Sequence, residues 1–358
     1  MAANYYDSAL LGFQGRVTKG LASHEVREKD TAVLPYALDN LQFLMDPKDI
    51  TTIKKSVQRP VYGYQFNRIA TTNGTGMTTM PTGTLGSSVQ LPLTFVTFSE
   101  TFATYNVSGL DNVFQFGEIF DNQATQAMRN IRTRVREWLT SNIYSNRTTS
   151  GTTSLVNTSF NADTDAFEIA AQNPYAAMTS IMRQNSYGAS AFDAFFDPQG
   201  YTGYEFSTSQ GTMNATNLQW QFAKTPTAPA AGGYFDNLYE DLNLGSTTAL
   251  PEGYNKGYAM VLPKKSFAMV PWMPANYYAP GFSKSFDQYV GGYGTIGDNV
   301  YNQITYQIFG WNNQSDTSGS NGYAQSQTQN WQIGLTLAFF PAYLSDGSSP
   351  IFGFAITS

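Results

Sequence analysis

Residues 118–145 carry the most sustained periodicity in the chain. Phe120, Ala124, Ala127, Met128, Ile131, Val135, Trp138, Leu139 and Asn142 recur at i, i+3, i+4 and i+7. This spacing predicts an amphipathic helix of about 25 residues, about 37 Å long at 1.5 Å per residue. Glu118 and Asp121 stand at its start, and Arg129, Arg132, Arg134 and Arg136 in its later half. That order complements the helix dipole. Arg129, Arg132 and Arg136 are expected on one side, away from the apolar stripe. This is the clearest element in the chain.

Strand signals flank the helix. Tyr62, Tyr64 and Phe66 alternate, and so do Val89, Leu91, Leu93 and Phe95. Period-2 alternation is the mark of a half-buried strand. Residues 61–105 therefore read as a long β-hairpin. Its tip, Thr71–Ser88, is rich in Gly, Thr, Met and Pro and is expected to be mobile. A hairpin of that length cannot bury both faces against its own domain. Near the C-terminus, Val300, Asn302, Ile304, Tyr306 and Ile308 alternate with Tyr301, Gln303, Thr305 and Gln307. Trp331, Ile333, Leu335 and Leu337 alternate again after the polar loop 312–330, and Ile351–Ile356 makes a last short strand.

Shorter elements complete the layout. Residues 1–33 read as an extended arm. Leu38, Leu41 and Leu44 share the face of a short helix over Tyr36–Leu44, stopped by Asp46-Pro47. A second helix is expected from Asp49 through Ile50, Ile53 and Val57 to Pro60. Asn173-Pro174 is an N-cap followed by Pro at the first helical position, and Tyr175, Met178, Ile181 and Met182 continue that helix. Residues 191–300, with strand-like pieces at Leu218–Phe222 and Tyr258–Leu262, read as an irregular α+β body. No internal repeat of fixed period is visible.

Composition narrows the function classes. Charged residues are 13% of the chain, against about 25% in typical domains. Aromatics are 15%, with 23 Tyr and 25 Phe. Low charge with many aromatics suits burial against other protein chains. It also suits a large β protein with Tyr on exposed strand faces. The chain has no Cys, so disulfides, zinc–thiolate sites and thiol catalysis are excluded. Its one histidine, His24, lies in a polar stretch and reads as solvated. A metal site would need carboxylates alone, and no cofactor is expected. Residues 1–147 carry 14 basic and 12 acidic groups (+2), and residues 148–358 carry 6 and 14 (−8), which sum to the net charge of −6. No concentrated basic footprint of a DNA-reading domain is present. No secretory signal is visible at the first residues. No run approaches the ~18 apolar residues of a membrane span, and no membrane partner is expected.

The candidates for chemistry are weak. Asp193 with Asp197, and Glu240 with Asp241, are the only carboxylate pairs worth weighing, and cap or turn roles suit them better. Gly291–Gly297 is glycine-rich but lacks the Lys-Ser/Thr of a phosphate loop, and reads as a turn. Asn73, Asn106, Asn146, Asn157, Asn214 and Asn313 lie in Asn-x-Ser/Thr sequons, which a chain this rich in Asn, Ser and Thr produces by chance. Trp220, Trp272, Trp311 and Trp331 could stack on sugars, but their settings favour core or interface packing.

The order of elements resembles the shell-protein fold shared by tailed-phage and herpesvirus major capsid proteins. It runs from an N-terminal arm through a long hairpin, a spine-like helix and an α+β body back to strands. Leu262–Asn276 is further similar to a segment of large capsid proteins from phages of Bacteroidetes-type hosts. The resemblance implies an α+β chain. Residues 1–58 would be the N-arm, 59–105 the extended loop, 106–165 and 300–358 the peripheral domain with its spine helix, and 166–299 the axial domain. It implies self-assembly into pentamers and hexamers of an icosahedral virion shell around double-stranded DNA, formed in the host cytoplasm. Scaffold, portal and cement or decoration proteins are implied partners. Tyr62, Tyr64, Phe66, Met77, Met80, Arg129, Arg132 and Arg136 are the expected intersubunit contacts. Residues 60–105 contain no Lys, so the loop-lysine cross-link of some relatives is not expected. The helix starts near residue 118, so a large helical scaffold segment upstream is not expected either. The alternative reading is a secreted or surface-layer carbohydrate-binding protein.

Overall fold

The computed structural model describes residues 33–44, 61–62, 90–91, 93–105, 113–149, 160–162, 166–170, 173–185, 192–209, 234–241, 244, 257–272, 290–298, 304–312, 328–343 and 348–357. Among them the chain begins with helix α1 (Val33–Leu44), the short strands β1 (Val61–Tyr62) and β2 (Gln90–Leu91), and the long strand β3 (Phe95–Tyr105). The 33-residue helix α2 (Val113–Ser145) follows. Next come β4 (Phe160–Asn161), β5 (Ala166–Ile169), α3 (Pro174–Asn185), β6 (Phe192–Phe196), α4 (Pro198–Ser209) and β7 (Asn237–Glu240). The chain then runs through β8 (Tyr258–Pro263), β9 (Phe267–Trp272), β10 (Val290–Gly297), β11 (Thr305–Asn312), β12 (Thr328–Pro341) and β13 (Phe352–Ile356). The α+β class read from the sequence is the observed one.

Helix α2 forms where its periodicity placed it but starts earlier, at Val113. Gly117, a poor helix former, hides that first turn from a reading by periodicity. Phe120, Ala124, Ala127, Met128, Ile131, Val135, Leu139 and Ile143 are all buried. The side chains of Asn142, Ser145 and Asn146 donate to the carbonyls of Trp138, Ser141 and Asn142 and so occupy acceptors of the last turns. Arg147 stacks over the Tyr144 ring at 3.7 Å and ends the element. Helix α3 is capped as expected: Asn173 Oδ1 accepts from the Ala176 amide at 3.1 Å.

Two sheets share α2 as their common packing surface. The first has the order β10-β11-β12-β3. Its central strand β12 pairs with β3 over residues 328–338 on one edge. On its other edge it pairs first with β11 and then, from Thr336 to Pro341, with β9. Trp331, Ile333, Leu335 and Leu337 face one side and join the buried cluster that contains the α2 stripe. Ala338 and Phe340 face the other side, with Ala268, Val270 and Leu44. Full burial of an aromatic or branched aliphatic side chain contributes about 1.5–3 kcal/mol. The β12 row thus supplies much of what holds chain segments over 200 residues apart.

The second sheet has the order β4-β5-β13-β8-β6-β7, with β5–β13 and β6–β7 parallel and the other pairs antiparallel. Every residue of β6, β8 and β13 is buried, as expected of strands covered on both faces. Phe195, Tyr258, Met260 and Leu262 look toward α2. Phe192, Ala194, Phe196, Ala259 and Val261 look toward α3 and α4.

Several expectations need correcting. Val61 pairs with Leu91 and Tyr62 with Gln90, so the hairpin closes at its base. Phe95–Tyr105, however, pairs with β12 and not with the outgoing hairpin strand. Alternation shows that a segment is a strand but not which strand it meets. For the same reason β9 and β10 join the sheet of β12, and β13 joins the sheet of β6 and β8. The sheets therefore do not divide at residues 166 and 300. The Gly291–Gly297 stretch, read as a turn, is strand β10, paired with β11 from Gly292↔Gly310 to Gly297↔Thr305. The arm 1–32, the helix after Asp49, the hairpin tip and Leu218–Phe222 lie outside the described residues.

Candidate assembly surface

Three of the carboxylates weighed for catalysis, Asp193, Asp197 and Asp241, accept hydrogen bonds within the fold. Asp193 is buried and accepts from Tyr36 Oη at 3.0 Å and from Asn237 Nδ2 at 2.8 Å. Tyr36 Oη in turn accepts from the Lys265 amide at 2.9 Å. Burial pushes the Asp193 carboxyl upward, while its two hydrogen bonds and the Lys264 charge pull it back. Asp197 Oδ1 accepts from the amides of Gly200 and Tyr258, at 2.8 and 2.9 Å. It caps α4 and pins that helix to β8. Gly257 has φ +115°, and a Cβ there would fall 2.4 Å from the Gly200 backbone. Only glycine fits that crossing. Asp241 is fully buried and accepts from Thr140 Oγ1 at 3.2 Å. Each of these carboxylates is held by donors from its own chain, and none presents a pair across a cleft.

The arginine stripe divides. Arg132 is 3% exposed and Arg136 8%, and Arg129 is half-buried. Arg132 Nη1 donates to both oxygens of Asp298, at 3.1 and 3.0 Å. Tyr306 Oη donates to the same carboxylate at 2.6 Å. Burial first, and the Asp298 charge second, push the Tyr306 phenol well above its ordinary range. Arg136 Nη2 donates to Thr133 Oγ1 at 3.1 Å. The expectation that Arg132 and Arg136 face outward is corrected. The two sheets press on α2 over a wider arc than its apolar stripe, and positions 132, 136 and 140 fall inside it. Spacing by four beside the row 128, 131, 135, 139 was the available signal. Asp298 carried none, because its role depends on a partner 166 positions away.

Tyr62 has its backbone in β1, opposite Gln90. Tyr64, Phe66, Met77 and Met80 lie outside the described residues, as do His24 and Trp220. Among the sequon asparagines, only Asn146 is described. Trp331 is fully buried, with Nε1 donating to Thr104 Oγ1 at 3.0 Å. It is a core residue and offers no face to a sugar.

What α2 does present to solvent is a ridge of uncharged polar groups between two charges. Glu118, Asn122, Gln126, Asn130 and Arg134 are all exposed and stand four residues apart. Gln126 Nε2 donates to Asn130 Oδ1 at 3.0 Å along the ridge. Arg134 makes an ion pair with Glu100 of β3. Gln123, Glu137 and Ser141 widen the same exposed face. Among the described residues no group of three His, Cys, Asp or Glu could hold a metal ion. No described helix is long and apolar enough to cross a membrane.

No family model and no curated protein matches the sequence. Among solved structures, the chain is similar to one from Mycobacterium phage Che8, with 8% identity, a TM-score of 0.47, and 93% of this chain and 94% of that one covered. A structure from Mycobacterium phage Bobi matches at 11% identity and a TM-score of 0.41, over 94% and 93% of the two chains. The capsid of Ralstonia phage GP4 matches at 7% identity and a TM-score of 0.42, over 84% of each chain.

Proposed function

We propose that this chain is the structural subunit of an icosahedral tailed-phage shell, acting by self-association and not by catalysis. The observation that carries the reading is how the tertiary structure joins the element order read from the sequence. The hairpin base β1–β2 leads into β3, and β3 into the spine helix α2. Strand β12, from the far end of the chain, closes on β3 over eleven residue pairs and packs its apolar row on α2. This arrangement supports the hairpin, spine-helix and long-strand layout that the element order resembles. The charge-poor, aromatic-rich composition and the internally committed carboxylates support the same conclusion.

On this reading the arm and the hairpin beyond Tyr62 lie on neighbouring copies. Tyr62, Tyr64, Phe66, Met77 and Met80 supply aromatic and thioether contacts, and Arg129 a polar one. Arg132 and Arg136 act from inside the subunit by holding α2 in place. The copies form pentamers and hexamers in the virion, assembled in the host cytoplasm around double-stranded DNA that is contacted without sequence preference. The absence of Lys from 60–105 leaves non-covalent contacts or a cement protein to hold the shell, with scaffold and portal proteins as separate chains.

Negative-stain microscopy of the purified full chain tests the proposal. Closed shells of uniform size, or five- and six-fold rings, are the expected result. A monomer that persists at high concentration and binds glycans would overturn it in favour of a carbohydrate-binding protein.

A further inference from the structure

The exposed ridge of α2 reads as a charge palindrome: acid at Glu118, amides at Asn122, Gln126 and Asn130, base at Arg134. Its midpoint is Gln126. We propose that two copies of this chain pair through α2, antiparallel, about a two-fold axis that passes through Gln126. The inference rests on the shell reading and names the surface by which one set of copies meets.

Antiparallel pairing about Gln126 sets Glu118 of each copy beside Arg134 of the other. Asn122 then faces the partner's Asn130, and Gln126 faces the partner's Gln126. A parallel arrangement in the same register would put Glu118 on Glu118 and Arg134 on Arg134. Isologous contact of this kind requires a surface complementary to itself after a two-fold rotation. Amides meet that requirement, since each carries both a donor group and an acceptor. Arg134 already holds Glu100, but a guanidinium has five N–H donors, enough for a second carboxylate. The row runs along the i±4n direction, the ridge by which helices most often cross, at about 50°. From Glu118 to Arg134 it spans about 24 Å of axis at 1.5 Å per residue. That is a small contact. In a shell, where each subunit makes many contacts at once, a small contact is sufficient.

The absence of Cys allows a direct test, because one introduced Cys has only its own copy in another subunit to bond. Helix axes 8–10 Å apart, each with Cα atoms about 2.3 Å from its axis, bring facing Cα atoms to roughly 3.4–5.4 Å. This range overlaps the Cα spacing that a disulfide accepts. Gln126→Cys, assembled and then oxidised, is expected to give a reductant-sensitive covalent dimer. Asn122→Cys and Asn130→Cys are each expected to stay monomeric on a denaturing gel, and to give the dimer when the two variants are co-assembled. Shells without a Gln126→Cys dimer would overturn the pairing and leave the shell reading standing. Equal dimer from Asn122→Cys alone would mark random collision and overturn it too. Monomers without shells or dimer would overturn both.

Discussion

Arg132, near the middle of α2, holds Asp298 at the end of β10 with one guanidinium nitrogen 3.1 and 3.0 Å from the two carboxylate oxygens. Both side chains are buried, and Tyr306 of β11 completes the site with a 2.6 Å hydrogen bond. The ion pair ties the long helix to the β10–β11 pair across 166 positions of sequence.

Removing one partner leaves the other charge buried. Arg132→Met is expected to destabilise the subunit by about 3–5 kcal/mol. Arg132→Met combined with Asp298→Leu is expected to recover most of that loss. Urea unfolding of the unassembled chain measures both, and equal midpoints for single and double variants would contradict the expectation.

Trp331 lies against Gly310. A Cβ at residue 310 would fall 2.7 Å from the indole ring. Gly310→Ala is therefore expected to cost about 1–3 kcal/mol by overpacking. Trp331→Ala should cost about 3–5 kcal/mol. Thermal unfolding followed by near-ultraviolet circular dichroism reads both changes.

Asp197 joins α4 to β8 through two backbone amides. Asp197→Ala removes the cap and leaves both amides buried, for an expected loss of about 1–3 kcal/mol. Hydrogen exchange at Gly200 and Tyr258 should accelerate, while exchange in α2 remains slow.

Alkaline pH should loosen the fold in a defined window. Burial, and then the nearby Asp193 and Asp298 charges, hold the Tyr36 and Tyr306 phenols well above their usual range. Burial also pushes Tyr175 and Tyr239 to about 12. A raised folded-state value means that the native state keeps protons the unfolded chain gives up. The contribution of these tyrosines to stability is thus constant up to about pH 10 and falls as pH rises beyond it. Denaturant midpoints against pH, read beside tyrosinate absorbance, check the sign. Tyr306→Phe is expected to make the alkaline slope shallower.

Much of this architecture was legible in the order of residues. Apolar spacing marked α2 between Phe120 and Asn142, the Asn173-Pro174 pair marked the start of α3, and alternation marked β11, β12 and the base of the hairpin. The failures share one cause. Arg132 and Arg136 read as outward-facing intersubunit contacts because side-chain type was taken for exposure, while a wide packing arc drew them inside. The Gly291–Gly297 stretch read as a turn because glycine is usually punctuation, while here β11 supplies an antiparallel partner for it.

The sequence by itself marked helices α1, α2 and α3 and strands β8, β11, β12 and β13, since local periodicity depends only on nearby residues. It also determined that thiol chemistry is absent and that the surface is poor in charge. Tertiary structure alone decided that β12 serves β3, β11 and β9 together, that Asp298 neutralises Arg132, and that the exposed face of α2 is the amide ridge around Gln126. Those outcomes depend on contacts between distant segments and on which groups lose water when the sheets close on the helix. Neither is encoded in the spacing of a single segment.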